Sequence, residues 1–187
     1  MAVNLSVVQF RRGNVDDVVC RVLQRTGLRA GCLELELTES TLVDDADTFI
    51  LSLQRLKALG VRLSIDDFGT GYSSLSYLQR FSVDKLKVDR AFIVRLNNSG
   101  QDRAIVDAIV QIARSLDLVV TAEGIEDGSV VQALVEMGCA QGQGYLFGKP
   151  QSAADFESLL QLPGDPAARR AREAGGTFLP TGAGALE

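Results

Sequence analysis

Along this chain, segments with the two-residue apolar period of a strand alternate with segments that have the 3.6-residue period of a helix. Residues 33–37 read Leu-Glu-Leu-Glu-Leu, the alternation of a strand with one apolar face. Residues 15–24 and 47–59 repeat apolar side chains at helical spacing, and Gly27 and Gly60 follow them as helix-ending residues. The first third of the chain therefore predicts helices that lie between strands.

The later segments continue this order. Short apolar runs predict strands, and longer runs with one apolar face predict helices. The complete set of predicted strands is 3–5, 33–37, 61–65, 85–88, 118–122 and 144–147. The predicted helices are 15–24, 47–59, 74–78, 104–116, 129–137 and 153–160.

Regular alternation of strands and helices favours an α/β fold with a parallel sheet. Right-handed crossovers make the sheet either a (β/α) barrel or an open doubly wound sheet. The six strand-like segments and the 187 residues fall short of the eight strands and roughly 250 residues of a complete barrel. We expect one domain over residues 1–162, followed at 163–187 by a flexible tail rich in Gly, Ala, Arg and Pro.

Polar side chains recur where the predicted strands end, and parallel strands bring their carboxyl ends to one rim where chemistry takes place. Two adjacent carboxylates at such a rim repel each other unless a cation lies between them. A two-metal site of this kind suits phosphoester hydrolysis, with a lysine that orients water or neutralises a phosphate. The residues concerned are Asn4, Glu36, Glu39, Asp66, Asp67, Lys87, Asp89, Glu123 and Gln143.

Each of these motifs taken alone has a simpler interpretation. Asp66-Asp67 before glycine is typical of a turn or helix cap, and Thr38 or Ser40 suits a helix N-cap. The Lys-Val-Asp run at 87–89 is compatible with a solvated ion pair, and Glu123-Gly124 with a turn.

Two glycine-containing segments also leave alternatives open. The loop at 68–74 lacks the pattern of a Walker A phosphate loop and of a dinucleotide fingerprint, which favours a mobile lid or an interface loop. The segment that contains Tyr145 and Phe147 is equally compatible with turn chemistry and with stacking of the rings on a nucleobase.

Composition narrows the chemistry. The chain contains no histidine, which excludes a Ser-His-Asp triad and leaves oxygen ligands for any metal. A net charge of −5 argues against a DNA or RNA duplex as partner. Three scattered cysteines are typical of free thiols in a reducing cytoplasm, and no signal peptide or apolar run long enough to cross a bilayer is present.

Six segments together resemble the EAL domain, the cyclic di-GMP phosphodiesterase family of bacterial signalling. They are VNLS, LELTES, IDDFGTGYSSL, LKVDRAFI, TAEGIE and GQGYLFGKP, and they occur in the family's order and spacing from residue 3 to about residue 160. The resemblance implies a TIM-like (β/α) barrel, here incomplete with about six of eight β/α units. It also implies cleavage of cyclic di-GMP to linear pGpG in the cytoplasm with two Mg²⁺ or Mn²⁺ ions.

The resemblance assigns a role to each rim residue. The metal ligands are Asn4, Glu36, Asp66, Asp67 and Glu123, and the catalytic residues are Glu123, Lys87 and Asp67. The residues expected to contact substrate or support the metal site are Gln143, Tyr145 and Asp89. Glu39 is expected behind the site, where it holds the loop after Asp67 that forms a homodimer interface. No direct membrane contact is implied.

The chain departs from the family pattern in one respect. The sequence contains no Glu-Ala-Leu triplet, whose Glu binds metal in the family. We therefore expect an N-terminally truncated domain with impaired hydrolysis. The alternatives are a non-catalytic module that binds cyclic di-GMP or a partner protein, and a fragment whose open sheet edges drive self-association.

Overall fold

The computed structural model describes residues 1–11, 14–39, 47–71, 78 and 80–156. Strands β1 to β6 span Ala2–Leu5, Glu34–Thr38, Arg62–Phe68, Lys85–Val88, Val119–Ala122 and Gln141–Gly142. Helices α1 to α6 span Val7–Arg11, Val15–Thr26, Asp47–Ala58, Arg90–Val94, Gly100–Ser115 and Ser129–Met137, and Ala30–Cys32 forms a short 3-10 helix.

The strands form one parallel sheet in which each strand lies beside the next one along the chain, in the linear order β1 to β6. The register places Asn4 beside Glu36, Glu36 beside Ser64, and Thr38 beside Asp66. This confirms the expected α/β fold with six strands, and its unclosed sheet is consistent with an incomplete barrel.

The predicted strand at 144–147 is wrong. Strand β6 lies at Gln141–Gly142, and the chain then turns, with Phe147 N–H donating to Gly144 O at 3.0 Å. The apolar run is too short to distinguish a strand from a turn. Helices α1 and α4 were not predicted, because five residues are too few to display a helical period.

Two further predicted segments fall largely outside the described residues. Of the predicted helix at 74–78 only residue 78 is described, and of the helix at 153–160 residues 153–156 are described and helical. The predicted tail at 163–187 lies outside them. No helix in the described ranges combines the length and the apolar character needed to cross a membrane.

The chain divides into two compact units, and the first, Met1–Leu86, has an apolar core beside a polar layer. Leu37, Leu63 and Ile65 are fully buried in this core. Polar residues occupy the alternate strand positions, and the Lys85 ammonium lies 2.8 Å from the Glu34 carboxylate. Since alternate residues of a strand point to opposite faces, the first unit has one apolar and one polar sheet face.

The second unit, Lys87–Glu187, packs apolar side chains from its helices and from the end of β5. Val106, Ile125 and Leu134 are fully buried. Helix α5 begins at an N-cap serine, where Ser99 Oγ accepts a hydrogen bond from Asp102 N–H. Burial of each large apolar side chain in this core stabilises the fold by about 1.5–3 kcal/mol.

Candidate functional site

In the first unit, the end of β3 holds two carboxylates in a strained main chain. Asp67 has φ 55°, a left-handed main-chain conformation that residues other than glycine rarely adopt. Asp67 N–H donates to Asp66 Oδ1 at 3.0 Å, and carboxylate oxygens of the two residues lie within 4.8 Å of each other. The main chain bends at Asp67, and the oxygens of the two carboxylates suit a hard divalent cation.

Strands β1 and β2 of this unit place further polar residues in register with residues of β3. Glu36 in β2 is buried, with 5% of its surface exposed. Asn4 in β1 is its register neighbour and is exposed to solvent. The sheet thus sets the main chains of Asn4 and Glu36 side by side.

The sequence reasoning missed Ser64, which is the register neighbour of Glu36 on β3. Its hydroxyl is fully buried and forms no hydrogen bond with any described residue. Such a group is rare in native structures, and its apolar neighbours in sequence give no signal of it. The only signal in the sequence is its place two residues before Asp66, on the same face of the strand.

Glu39 connects the end of β2 to the loop that follows β3. It is 3% exposed, and its Oε2 accepts hydrogen bonds from Gly69 N–H at 2.9 Å and Gly71 N–H at 3.1 Å. Thr70 Oγ1 also donates to Asp67 O at 2.8 Å. The loop beside the two aspartates is therefore hydrogen-bonded to a buried carboxylate, while Ser40, the alternative helix cap, lies outside the described residues.

In the second unit, three expected site residues meet at one carboxylate. Lys87 in β4 is 4% exposed, and its ammonium lies 2.7 Å from Glu123 Oε1. Gln143 Nε2 donates a hydrogen bond to the same oxygen. Glu123 is held in place at its main chain as well, where its N–H donates to Val88 O at 3.1 Å. Lys87 is therefore a buried partner of Glu123 and not part of a solvated ion pair.

Asp89 lies at the start of α4 and caps it. Its Oδ1 accepts a hydrogen bond from Ala91 N–H at 2.8 Å. This N-cap satisfies one of the unpaired main-chain donors at the start of a helix. The geometry thus gives Asp89 a structural role, and a contact with substrate stays a prediction.

The segment after β6 crosses the main chain of Ile125 closely. Ile125 N–H donates to Gln143 O at 3.0 Å, and Leu146 N–H donates to Ile125 O at 3.0 Å. A Cβ atom on Gly144 would lie 2.2 to 2.7 Å from main-chain atoms of Ile125, so no side chain fits there. Glycine at this position is what allows Gln143 to sit beside Glu123.

Tyr145, the next residue, lies on the surface with 58% of its area exposed. The Lys149 ammonium lies 5.6 Å from the centre of its ring, within the range of a cation–π contact. The exposed ring face and the adjacent cation are compatible with a nucleobase and a phosphate, which keeps the stacking alternative open.

Two residues outside the candidate site, Cys139 and Asp127, have shifted pKa values. Burial raises the pKa of the Cys139 thiol to about 11, above its ordinary value of 9.0. The pKa of Asp127 is lowered because the carboxylate accepts hydrogen bonds from the main-chain N–H and the hydroxyl of Ser129. The Cys139 thiol is protonated at neutral pH and is not a nucleophile.

Comparison with known proteins places these residues in context. The family model described as "EAL domain" matches residues 1–150. The chain is 47% identical over 160 residues to the bifunctional diguanylate cyclase/cyclic di-GMP phosphodiesterase MucR of Pseudomonas aeruginosa, a match that covers 86% of this chain and 23% of MucR. The chain therefore spans about a fifth to a quarter of the length of the curated relatives that it matches.

Solved structures agree with the sequence comparison. The PaMucR phosphodiesterase in complex with c-di-GMP superposes with a TM-score of 0.80 at 46% identity, covering 83% of this chain and 63% of that one. Klebsiella pneumoniae BlrP1, in a manganese and cyclic di-GMP complex, superposes with a TM-score of 0.74 at 35% identity, covering 79% and 38%. A calcium complex of BlrP1 matches equally well.

Proposed function

Because the chain belongs to the EAL domain family, we propose that it acts on cyclic di-GMP and hydrolyses it to linear pGpG in bacterial second-messenger signalling. The observation that carries this proposal is the pair of adjacent carboxylates, Asp66 and Asp67, held in a strained bend at the end of a parallel strand. Strain of this kind persists where the surrounding structure maintains it, and it clusters at functional sites.

The donor set fits a hard divalent cation. The nearby donors are carboxylate, amide and hydroxyl oxygens, and the chain has no histidine. The residues proposed to hold two Mg²⁺ or Mn²⁺ ions are Asn4, Glu36, Asp66, Asp67 and Glu123, which lie within strands or directly after one. When bound, the ions supply an activated water and neutralise charge on the phosphodiester.

The protein's own groups then have distinct roles. The Lys87 ammonium, held by Glu123, would donate a hydrogen bond to the attacking water. One carboxylate, Asp67 or Glu123, would accept the single proton that this water loses and pass it to the oxygen of the broken P–O bond. Gln143 orients the substrate, Asp89 supports the same site, and the Tyr145 ring stacks on a guanine base. Glu39 keeps the loop after Asp67 ordered through its two glycine N–H bonds.

The test is hydrolysis of cyclic di-GMP by the purified chain with Mn²⁺, followed by chromatographic detection of pGpG. We expect turnover that is lost in Asp67→Asn, because one missing carboxylate ligand weakens metal binding and activation of water. Asp107→Asn is the matched control, since Asp107 is an exposed aspartate on α5. A folded chain that neither binds nor hydrolyses cyclic di-GMP would refute the proposal.

A second candidate is a non-catalytic module that binds cyclic di-GMP or a partner protein. It is favoured by the absence of a Glu-Ala-Leu triplet, which also makes slow hydrolysis our expectation for this chain. Calorimetry distinguishes the two candidates. Heat of binding without formation of pGpG would establish the module, whereas any metal-dependent turnover would exclude it.

The setting of the domain is also part of the proposal. We propose a domain over residues 1–162 followed by a tail, a location in the cytoplasm, and a homodimer formed through the loop after Asp67. The match of the family model over residues 1–150 supports the domain range. Sedimentation analysis tests the dimer, and a single monomeric species at micromolar concentration would exclude it.

A further inference from the structure

The direction of the Glu123 side chain depends on the segment that follows β5. Gly124 has φ 66°, so the chain bends sharply directly after Glu123. The residue is held on its N-terminal side by the hydrogen bond from its N–H to Val88 O. On its C-terminal side Gly124 by itself does not restrain Glu123, because glycine adds conformational freedom.

The side chain of Arg90 lies across Gly124. A Cβ atom on Gly124 would lie 2.2 Å from Arg90 Cγ and 2.6 Å from both Arg90 Cβ and Cδ. The aliphatic stem of Arg90 therefore fills the space where any other residue at position 124 would place its side chain. Arg90 is itself held, since it is the first residue of α4, directly after the cap formed by Asp89.

The guanidinium of Arg90 reaches two residues further along the same segment. Its Nη2 lies 2.7 Å from Glu126 Oε1. Both side chains are well exposed, 60% and 46%, and exposed ion pairs contribute little to the stability of a fold. The stem and the guanidinium together therefore restrain the turn between Gly124 and Glu126 without being an important part of the core.

We propose that Arg90 is a positioning residue that holds Glu123 in its ligand orientation by restraining the turn directly after it. This inference rests on the proposed function, in which Glu123 binds the metal. Residues that orient a metal ligand without touching the metal change metal affinity by about 10- to 100-fold when they are removed. Arg90 is neither a ligand nor a catalytic residue in this assignment.

The experiment measures the affinity of the whole chain for Mn²⁺ from the electron paramagnetic resonance signal of free Mn²⁺. We expect Arg90→Ala to weaken binding about tenfold, as a freed turn lets Glu123 leave its orientation. Arg90→Lys keeps a stem over Gly124 and a cation near Glu126, so its affinity is expected within about threefold of the unaltered chain. Arg103→Ala, at an exposed arginine on α5, is the matched control.

Thermal melting of each variant separates positioning from folding. The assignment predicts that Arg90→Ala melts within a few degrees of the unaltered chain, since its ion pair is exposed. A large drop in melting temperature would make Arg90 a structural residue and overturn the inference. Unchanged Mn²⁺ affinity in Arg90→Ala, or an equal loss in Arg103→Ala, would overturn it as well.

The same measurement separates this inference from the proposed function. An unaltered chain that binds no Mn²⁺ overturns the proposed function and the inference together. An unaltered chain that binds Mn²⁺ while Arg90→Ala binds it equally well overturns the inference alone. Glu126→Gln provides a second variant that leaves the stem over Gly124 in place, and a loss of affinity smaller than that of Arg90→Ala is expected.

Discussion

Removal of the Glu39 carboxylate is expected to release the loop beside Asp67. In Glu39→Ala the N–H groups of Gly69 and Gly71 lose an acceptor that now lies 2.9 and 3.1 Å away. Hydrogen bonds to an ionised group contribute about 1.5–3 kcal/mol each. With the lower figure, the loop loses about 3 kcal/mol of protection against local opening.

Glu39→Gln separates the contribution of charge from that of geometry. The amide oxygen replaces Oε2 at the same place, but neutral hydrogen bonds contribute only about 1 kcal/mol each. The expected loss is then about 1 kcal/mol in total, roughly a third of the effect of alanine. The two variants therefore remove different amounts of hydrogen-bond energy at the same acceptor position.

Amide hydrogen exchange measured by NMR reports this opening directly, residue by residue. Since about 1.4 kcal/mol corresponds to a factor of ten, the Gly69 and Gly71 amides are expected to exchange about 100-fold faster in Glu39→Ala and about fivefold faster in Glu39→Gln. The amide of Leu116, at the end of α5 in the second unit, serves as an internal control. Exchange at Gly69 and Gly71 that stays within twofold in Glu39→Ala would refute the reasoning.

Three further predictions concern the second unit. Gly144→Ala places a methyl group 2.2 Å from main-chain atoms and is expected to destabilise the fold by at least about 2 kcal/mol in urea unfolding. Gly148→Ala, at a site with open space, is the control, and equal midpoints for the two variants would contradict the close approach. Lys87→Met leaves the largely buried Glu123 carboxylate without its cation and is expected to cost about 3 kcal/mol, measured in the same way; a loss below about 1 kcal/mol would argue against a buried ion pair. Cys139 has its pKa raised from 9.0 to about 11, so its contribution to stability is complete below pH 9 and is lost as pH rises through 11. That loss in the free energy of unfolding is about 2 to 3 kcal/mol. It disappears in Cys139→Ala if the buried thiol causes it. An identical pH profile of stability in the variant would exclude this cause.

Several elements of the fold were predictable because their residues carry a local signal. Helix α6 begins and ends where the period of its apolar residues predicts, and β2 and β4 fall within one residue of their predicted places. The false strand at 144–147 arose because Tyr145, Leu146 and Phe147 form a short uninterrupted apolar run, which is also found in buried strands. The turn there is caused by the crossing with Ile125, a contact between residues distant in sequence.

The candidate site, like the fold, was only partly predictable from the sequence. The acidic residue types at the strand ends are visible in the sequence, and so is the absence of histidine, which leaves oxygen chemistry. The partner of each group is not visible. Lys87 pairs with Glu123, and Asp89 caps α4. The sequence marks Ser64 only by its place two residues before Asp66, because a serine inside an apolar run is also compatible with a solvent-facing position.

The sequence by itself determined the α/β class and the places of five of the six strands that the structure describes, because these depend on neighbours along the chain. Its composition determined the charge and the absence of histidine. Only the tertiary structure decided the strained bend at Asp67, the place of Gln143 beside Glu123 and the position of Arg90 over Gly124. These features depend on which strand ends and loops approach each other within a few ångströms. The physical reason is that local periodicity encodes which face of an element is buried, whereas the packing of distant segments selects the partner of each polar group.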